Sequence, residues 1–460
     1  MIYKVTKDWF GQRIGLLSAW FLAVSFIHVK ESHYIKNDVL VGLIVLLIFH
    51  FSCLIVSQKK LKNYLFAGLF VGLAFGVKFY PIISIITVLA AHFIKTVKQK
   101  NNFIDKKIIL FLEIVLLTII FQSAPTLIFK SDGLSEFIRI KNIVLYDIKP
   151  LTNEPLIITF LFRHLREGMG LLMFLTAMIG LLYSVLKIKQ FQYFLLIFFP
   201  LFFLFTIDLW ASYNLPRHSL VLLPFFIILS SLGVNLAIER LSSSNKIKLL
   251  VLVIISLTIM APTLNRSIKM DRYFAGIDTR HLAKKWVEAN IPSGEKIVIE
   301  GTLKPYIPGG AAPILLSEDA IQKQTVIAQE NGYPGTTLKA LSKANQSQLG
   351  YDILSSQRLD KELDIVMGVE RDLNSSFFYY SQGYNYIVTL NWAHFYKPLD
   401  QNFDQDFKLN YQKVAQFKPD IDFTASPHDM EIQYEKLDMI DPFRDEMIVG
   451  PSIEIYKKLK

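Results

Sequence analysis

Two acids, two lysines and two histidines lie within residues 28–38, between two apolar runs of the sequence. Glu31, His33 and Asp38 can accept a proton or bind a cation, which makes them the catalytic candidates. Asp38 directly precedes an apolar run, where the free N–H groups of a helix N-terminus favour a carboxylate, so a simple helix cap is the alternative for it. The three residues follow no firm metal-ligand spacing, so no metal site is predicted, although a divalent cation stays open.

A second set of residues is cationic or aromatic, and its members also stand at the ends of apolar runs. Arginine binds phosphate with a rigid fork and lysine with a point charge, so cations that converge at one membrane surface would bind a phosphate or diphosphate. The alternative is that each cation only anchors a helix end at the interface. The candidates for this phosphate site are Lys78, Tyr80, Arg163, Arg166, Arg217 and His218.

The composition indicates that membrane-spanning helices position these residues. The chain has 460 residues, of which 52% are hydrophobic and only 19% charged, whereas about a quarter is charged in soluble domains. Disorder and an ordinary soluble fold are therefore excluded, and apolar runs of this length predict membrane-spanning helices. About nine are expected, at residues 14–29, 39–57, 64–78, 80–94, 108–127, 169–186, 191–207, 218–238 and 249–263.

The distribution of charge predicts the orientation of these helices. The net charge of +10 comes from +14 in residues 1–263 and −4 in residues 264–460. Five short segments on one side of the predicted bundle carry 16 Lys and Arg against three acids, and such segments face the cytoplasm. Joining residues 64–94 into one span would put the lysine-rich segment 95–107 outside, so two spans are preferred. The basic excess is therefore a topology signal and does not indicate nucleic-acid binding.

Residues 264–460 differ from the membrane part and are predicted to form an extracytoplasmic α/β domain. Helical spacing covers His281 to Ala289, and β-branched alternation predicts strands at Lys296–Glu300, Tyr386–Leu390 and Ser452–Tyr456. The predicted domains are thus 1–263, a helical transmembrane domain, and 264–460. The fold class is a polytopic α-helical membrane protein with a C-terminal α/β domain.

Several residues inside or beside the predicted spans also need an interpretation. The single cysteine, Cys53, is expected to be a buried structural residue. Glu113 is an acid within a span, which is either functional or close enough to the interface to reach it. Gly68, Gly72 and Gly76 share one helical face and predict close packing. Residues 135–146 are amphipathic and predict a helix that lies flat on the membrane.

The run FGQRIGLLSAWFLAVSFIHVKESHYIKNDV (residues 10–39) resembles the third-span region of the GT-C class glycosyltransferases. This class includes the dolichyl- or polyprenyl-phosphate-mannose protein mannosyltransferases and their bacterial relatives. Four later stretches are similar to further regions of that family: KNYLFAGLFVGLAFGVKFYPII, LPRHSLVLLPFFIIL, DTRHLAKKWVEANIPSGEKIVIEG and GPSIEIYKK. The resemblance spans most of the chain, and it is the set of motifs that carries it.

The resemblance implies an inverting sugar transfer at the outer face of the cell membrane. The donor would be a polyprenyl-phosphate sugar, and the acceptor a lipid, glycan or protein. Asp38 matches the family's second acidic position, and Lys78 and Arg217 match basic positions that face the lipid phosphate. Glu31, His33 and His218 flank these motifs.

The resemblance also implies that two further spans, and an outer loop with the family's main acidic residue, would precede Asp8. We therefore expect the chain as given to be N-truncated and to transfer sugar poorly or not at all. Two alternatives stay open, a transporter or flippase of lipid-linked sugars and a non-catalytic membrane scaffold. A transporter would favour inverted repeats and polar residues at mid-membrane, for which Glu113 is the only candidate.

Overall fold

The computed structural model describes residues 1–33, 37–58, 60–100, 102–129, 155–210, 216–241, 244–300, 350–356, 380, 383–391, 409–421, 439–444 and 446–459. The chain divides into two compact units, Met1–Ile268 and Lys269–Lys460. The amphipathic segment at 135–146 lies outside the described residues, so its predicted interfacial helix stays a prediction.

The first unit is built from helices, most of them apolar over their whole length. Buried side chains from nearly all of these helices form one continuous hydrophobic core. The helices are α1 (Ile2–Phe10), α2 (Gln12–Val24), α3 (Phe26–Ser32), α4 (Asp38–Ser57), α5 (Leu61–Val77), α6 (Ile85–Gln99), α7 (Lys106–Phe129), α8 (Leu171–Leu186), α9 (Phe191–Trp210), α10 (Leu223–Glu239) and α11 (Asn245–Phe274).

Three short segments of other helix types join these helices. They are 3₁₀ helices at Tyr80–Ser84 and Pro216–Val221 and a π-helix at Thr159–Leu165, which is flanked by the α-helical turns Leu156–Ile158 and Arg166–Met169. A π-helix is rare and occurs mostly at functional sites. All three segments carry candidate site residues.

All nine predicted apolar runs lie in helical structure. Among the described residues, three helical stretches are long and apolar enough to cross a membrane: Asp38–Ser57, Tyr80–Gln99 and Asn245–Phe274. The pair α2 and α3 would be a fourth if it is one span bent by 58°. Helix α1 is not among the sequence predictions, and it packs so closely on α2 that a Cβ on Gly15 would lie 2.9 Å from the Tyr3 carbonyl oxygen.

The helical structure is interrupted between α5 and the following 3₁₀ helix. The sequence also predicted two segments here rather than one. Helix α5 ends at Val77, and Lys78 is extended with φ −154° and ψ 145°. Helical structure resumes at Tyr80, and Pro81 occupies the start of the new segment, a position that tolerates its missing N–H group. The break leaves the Lys78 side chain at the end of α5.

The break between α2 and α3 is stabilised by hydrogen bonds from α11. The Thr263 hydroxyl donates to the Val24 carbonyl oxygen over 2.9 Å and accepts from the Phe26 N–H over 3.0 Å. Ser25, the residue at the bend, donates from its hydroxyl to the Gly168 carbonyl oxygen over 3.1 Å. These bonds replace helical bonds that the bend removes, so α3 has a fixed direction.

The predicted close-packing face of α5 is confirmed. A Cβ on Gly68 would lie 2.8 Å from the Phe111 carbonyl oxygen, and one on Gly72 would lie 2.5 Å from the Thr118 side chain. Only glycine lets α5 and α7 approach this closely. Cys53 is fully buried in α4, as expected.

The second unit contains a five-stranded sheet in the order β3-β2-β4-β7-β5. Strand β2 is parallel to β3 and β4, whereas β7 is antiparallel to β4 and β5. Helix α12 (Thr279–Asn290) contributes buried side chains to the apolar core on one sheet face. The strands are β1 (Ile277–Asp278), β2 (Lys296–Glu300), β3 (Asp352–Ser356), β4 (Tyr386–Asn391), β5 (Tyr411–Phe417), β6 (Ile448–Val449) and β7 (Ser452–Lys458), with β1 and β6 paired separately.

Candidate active site

Asp38 is the first residue of α4, and only 2% of its side chain is exposed. The helix cap is Asn37, and no side-chain capping hydrogen bond is made there. Asp38 is therefore not the helix cap, which was the alternative interpretation of this residue. Its carboxylate instead forms ion pairs with two cations. One partner is Lys78, whose Nζ bonds Oδ1, and the other is Arg217, whose Nε lies 3.8 Å from Oδ2.

The two cations come from segments far apart in the sequence. Lys78 stands at the end of α5, and Arg217 is the second residue of the 3₁₀ helix Pro216–Val221. Their side chains are 23% and 19% exposed, in contrast to the buried carboxylate between them. We call this cluster of Asp38, Lys78 and Arg217 the cationic corner, because its formal charge is +1 and its partly exposed groups are the cations.

A glycine one turn into α4 brings Arg217 to Asp38. A Cβ on Gly42 would lie 2.8 Å from the carbonyl oxygen of Leu220, in the same 3₁₀ helix as Arg217. Any larger residue would therefore push this segment away from α4. Since Gly42 follows Asp38 by one helical turn, both lie on the same face of α4.

Tyr80 and His218 extend the cationic corner. The centroid of the Tyr80 ring lies 5.8 Å from Lys78 Nζ. The same centroid lies 5.5 Å from the centroid of the His218 ring. His218 also interacts electrostatically with Lys78, Arg217 and His164. His164, which is 2% exposed and lies in the π-helix, was not among the predicted site residues. Its position between Arg163 and Arg166 was the only feature of the sequence that pointed to a role in the site.

Arg163 and Arg166 differ from the other predicted phosphate ligands. Arg163 is exposed in the π-helix. Arg166 binds the Glu167 carboxylate through Nε at 2.9 Å and Nη2 at 2.6 Å, and Arg266 binds the other Glu167 oxygen at 3.1 Å. Within the part of the chain that the structure describes, neither Arg163 nor Arg166 forms an ion pair with Asp38.

Among the described residues, one carboxylate oxygen of Glu31 has an ion-pair partner and the other has no hydrogen-bond partner. Lys30 Nζ lies 3.1 Å from Glu31 Oε1, and both side chains are almost fully buried. Glu31 Oε2 is buried and has no hydrogen-bond partner among the described residues. A buried carboxylate oxygen in this state costs free energy unless a ligand or water satisfies it. Helix α3, which carries Glu31, packs against the 3₁₀ helix of Arg217.

The remaining candidates do not join these groups. His33 is exposed, and its Nδ1 lies 2.9 Å from the Val29 carbonyl oxygen at the end of α3. Glu113 is exposed on α7. The described residues contain no group of three or more His, Cys, Asp or Glu that could hold a metal ion.

Solved structures show a distant likeness to the chain. The crystal structure of ArnT from Cupriavidus metallidurans bound to undecaprenyl phosphate is 11% identical, with a TM-score of 0.46, and the match covers 84% of this chain and 76% of that one. The apo structure of the same protein is 9% identical, with a TM-score of 0.45 and a coverage of 84% and 75%. No curated protein matches the sequence.

A family model also matches the first part of the chain. The model describes the dolichyl-phosphate-mannose-protein mannosyltransferases, and it matches residues 1–129. Asp38, Lys78, Tyr80 and Glu31 all lie within this range, whereas Arg217 and His218 lie beyond it. The match covers residues 1–129 only, and it confirms the predicted resemblance to the GT-C class of membrane glycosyltransferases.

Proposed function

We propose that the chain is a membrane glycosyltransferase that moves a sugar from a polyprenyl-phosphate-linked donor to a lipid, glycan or protein acceptor at the extracytoplasmic face. The observation that carries this proposal is the cationic corner, where Lys78 and Arg217 converge on Asp38 at the end of α4. Two cations at the ends of membrane helices suit an anionic phosphate that is attached to an apolar lipid.

Lys78 and Arg217 act on the leaving group in this proposal. As the bond between the sugar C1 and the phosphate oxygen breaks, that oxygen takes the electron pair and its negative charge grows. Cations already held in position stabilise this charge more in the transition state than in the ground state, which is the condition for catalysis. In this proposal Tyr80 and His218 line the cationic corner and orient Lys78 and Arg217.

Asp38 is a positioning residue in this proposal. It is one of the catalytic candidates of the sequence, but its carboxylate is buried and ion-paired with both cations. Its role is to hold Lys78 and Arg217 apart at a fixed distance.

Glu31 is the better candidate for the base, because its Oε2 is buried and unpartnered among the described residues. The acceptor hydroxyl or amine would attack C1, and its proton would move to Glu31 Oε2. The polyprenyl phosphate would leave with the electron pair of the broken bond. Lys30, which is ion-paired with the other oxygen, would hold the Glu31 carboxylate in position.

The proposed orientation puts the N-terminus in the cytoplasm and residues 264–460 outside the cell membrane. It can be tested by cysteine labelling, because Cys53 is fully buried and is the single cysteine of the chain. A membrane-impermeant maleimide should label Lys418→Cys in intact cells but label Lys246→Cys only after lysis. Labelling of both variants, or of Lys246→Cys alone, in intact cells would overturn the orientation.

The transfer itself is tested with the purified full chain and a radiolabelled undecaprenyl-phosphate sugar, with release of undecaprenyl phosphate as the readout. We expect Lys78→Gln and Arg217→Gln to reduce release roughly 10- to 100-fold, which corresponds to one charge-assisted bond. Arg13→Gln and Lys62→Gln are the matched controls, since both remove a cation at exposed positions away from the cationic corner. This proposal differs from the sequence expectation that the chain transfers sugar poorly or not at all. A wild-type chain that binds the donor without releasing undecaprenyl phosphate would agree with that expectation, or with the scaffold or transporter alternative, and would contradict the proposed transfer.

A further inference from the structure

A cavity lies between α6 and α9. Its volume is about 590 Å³, and its wall is almost entirely apolar. Residues from both helices and from the turn before α9 line it. Those that form the wall include Ile86, Ala90, Phe93, Ile188, Phe194 and Phe198.

Two lysines are the charged residues among those that line this cavity. Lys98 is in the last turn of α6, and Lys189 is in the turn before α9; both are exposed. Lys98 Nζ lies 5.5 Å from the centroid of the Phe191 ring, which also lines the cavity. No carboxylate of the described residues lies within 4 Å of either ammonium group as an ion-pair partner. No acidic side chain of the described residues therefore neutralises the charge of this pair.

The side of the helical unit that holds this cavity is rich in lysine. The segments 95–107 and 187–190 both belong to the set that the charge distribution places in the cytoplasm. Basic pockets between membrane helices on that side bind the headgroups of anionic lipids. Phe93 is 58% exposed and Ile188 is 44% exposed, as expected of side chains that contact lipid.

We propose that this cavity binds an anionic phospholipid of the cytoplasmic leaflet, with an acyl chain against the apolar wall and the phosphate between Lys98 and Lys189. Charge complementarity favours a phospholipid over a partner helix, because a phosphate neutralises both lysines while its acyl chain covers the apolar wall. The proposal rests on the proposed orientation of the helices. It does not rest on the proposed sugar transfer, because Lys98 lies at the end of α6 that is opposite to Tyr80.

Native mass spectrometry of the purified full chain tests the site, with phosphatidylglycerol and phosphatidylcholine of equal chain length as the probes. We expect one phosphatidylglycerol to be retained at least 10-fold more strongly than phosphatidylcholine. Lys98→Gln combined with Lys189→Gln should abolish this preference. Lys60→Gln combined with Lys62→Gln is the control of equal charge loss, and it should leave the preference unchanged because neither residue lines the cavity.

A second variant tests the apolar wall with both lysines present. Ala90→Leu reduces the cavity and should weaken phosphatidylglycerol retention, whereas glycerol phosphate in solution should not compete. Equal retention of the two lipids by the wild type would overturn the proposal, as would unchanged retention in the Lys98 and Lys189 double variant. Competition by glycerol phosphate would show a headgroup site without an acyl-chain site, which also contradicts it.

Discussion

Gly42 of α4 lies directly against the backbone of Leu220, so that a Cβ at position 42 would stand 2.8 Å from the Leu220 carbonyl oxygen. This contact holds the segment of Arg217 next to Asp38. We expect Gly42→Ala to displace the segment, at a cost of about 1–3 kcal/mol in stability, and to reduce sugar transfer per folded molecule. Thermal unfolding in detergent and release of polyprenyl phosphate measure the two effects.

Gly68→Ala is the matched control for this prediction. Its Cβ would also stand 2.8 Å from a carbonyl oxygen, that of Phe111, but at the contact between α5 and α7. It should lower stability to a similar extent and leave transfer per folded molecule much closer to the wild-type value. Equal loss of transfer in both variants would show that Gly42 acts only through general stability.

The ion pair of Asp38 and Lys78 should give a measurable coupling. Asp38→Asn removes the charge that both cations share, and Lys78→Gln leaves Asp38 with Arg217 alone. Residues in one ion-pair network typically couple by about 0.5–3 kcal/mol. A double-mutant cycle on the thermal unfolding of the full chain should therefore be non-additive.

The same cycle separates a positioning role from a base role for Asp38. If Asp38 positions the cations, the double variant should lose less transfer than the product of the two single losses, because part of the Asp38→Asn effect acts through Lys78. Multiplicative losses of transfer, together with a changed pH profile in Asp38→Asn, would instead identify Asp38 as the base.

Thr263 fixes the bend between α2 and α3, and with it the position of Glu31. Thr263→Val keeps the shape of the side chain but leaves the Phe26 N–H without its acceptor. We expect a loss of about 1–3 kcal/mol and a lower unfolding temperature. Thr258→Val is the control on the same helix, because the Thr258 hydroxyl is exposed and bonds only the Ile254 carbonyl oxygen. A change within about 0.5 kcal/mol is expected there.

The helices of the first unit follow from the sequence because their signal is long and strong. Each predicted run is apolar over 15 residues or more, and a chain with that pattern must satisfy its backbone internally. The break at Lys78 was predictable from Pro81, and the α5–α7 contact from the spacing of three glycines. Helix α12 and strands β2, β4 and β7 also lie where periodicity predicts them.

The arrangement of the site residues was less accessible from the sequence. Four of the candidates are Lys or Arg residues at helix ends, yet Lys78 and Arg217 pair with Asp38 while Arg166 pairs with Glu167. The difference depends on the contact between Gly42 and Leu220 and on the adjacent glutamate at 167, and neither is a periodic pattern. The unpartnered oxygen of Glu31 depends on packing from other helices, which spacing along one helix does not encode.

Glu454 of β7 is expected to make the five-stranded sheet sensitive to acid. It accepts hydrogen bonds from Lys413 Nζ at 3.0 Å, from Gln416 Nε2 at 2.6 Å and from the Tyr456 hydroxyl. Burial raises the pKa of Glu454, but the bonds from Tyr456 and Lys413 outweigh it and lower the pKa below its ordinary value. A pKa that is lower in the folded state means that the ionised group stabilises the sheet at neutral pH.

This stabilisation should be lost as the pH falls through the folded-state pKa of Glu454, since protonation removes the charge that Lys413 binds. Hydrogen exchange of the β7 amides in the full chain, corrected for the intrinsic effect of pH, should show greater opening at acid pH than at pH 7. Glu454→Gln should open more than the wild type at pH 7 and respond less to acid, because it has no carboxylate to protonate. An equal response to acid in wild type and variant would assign the sensitivity to another group.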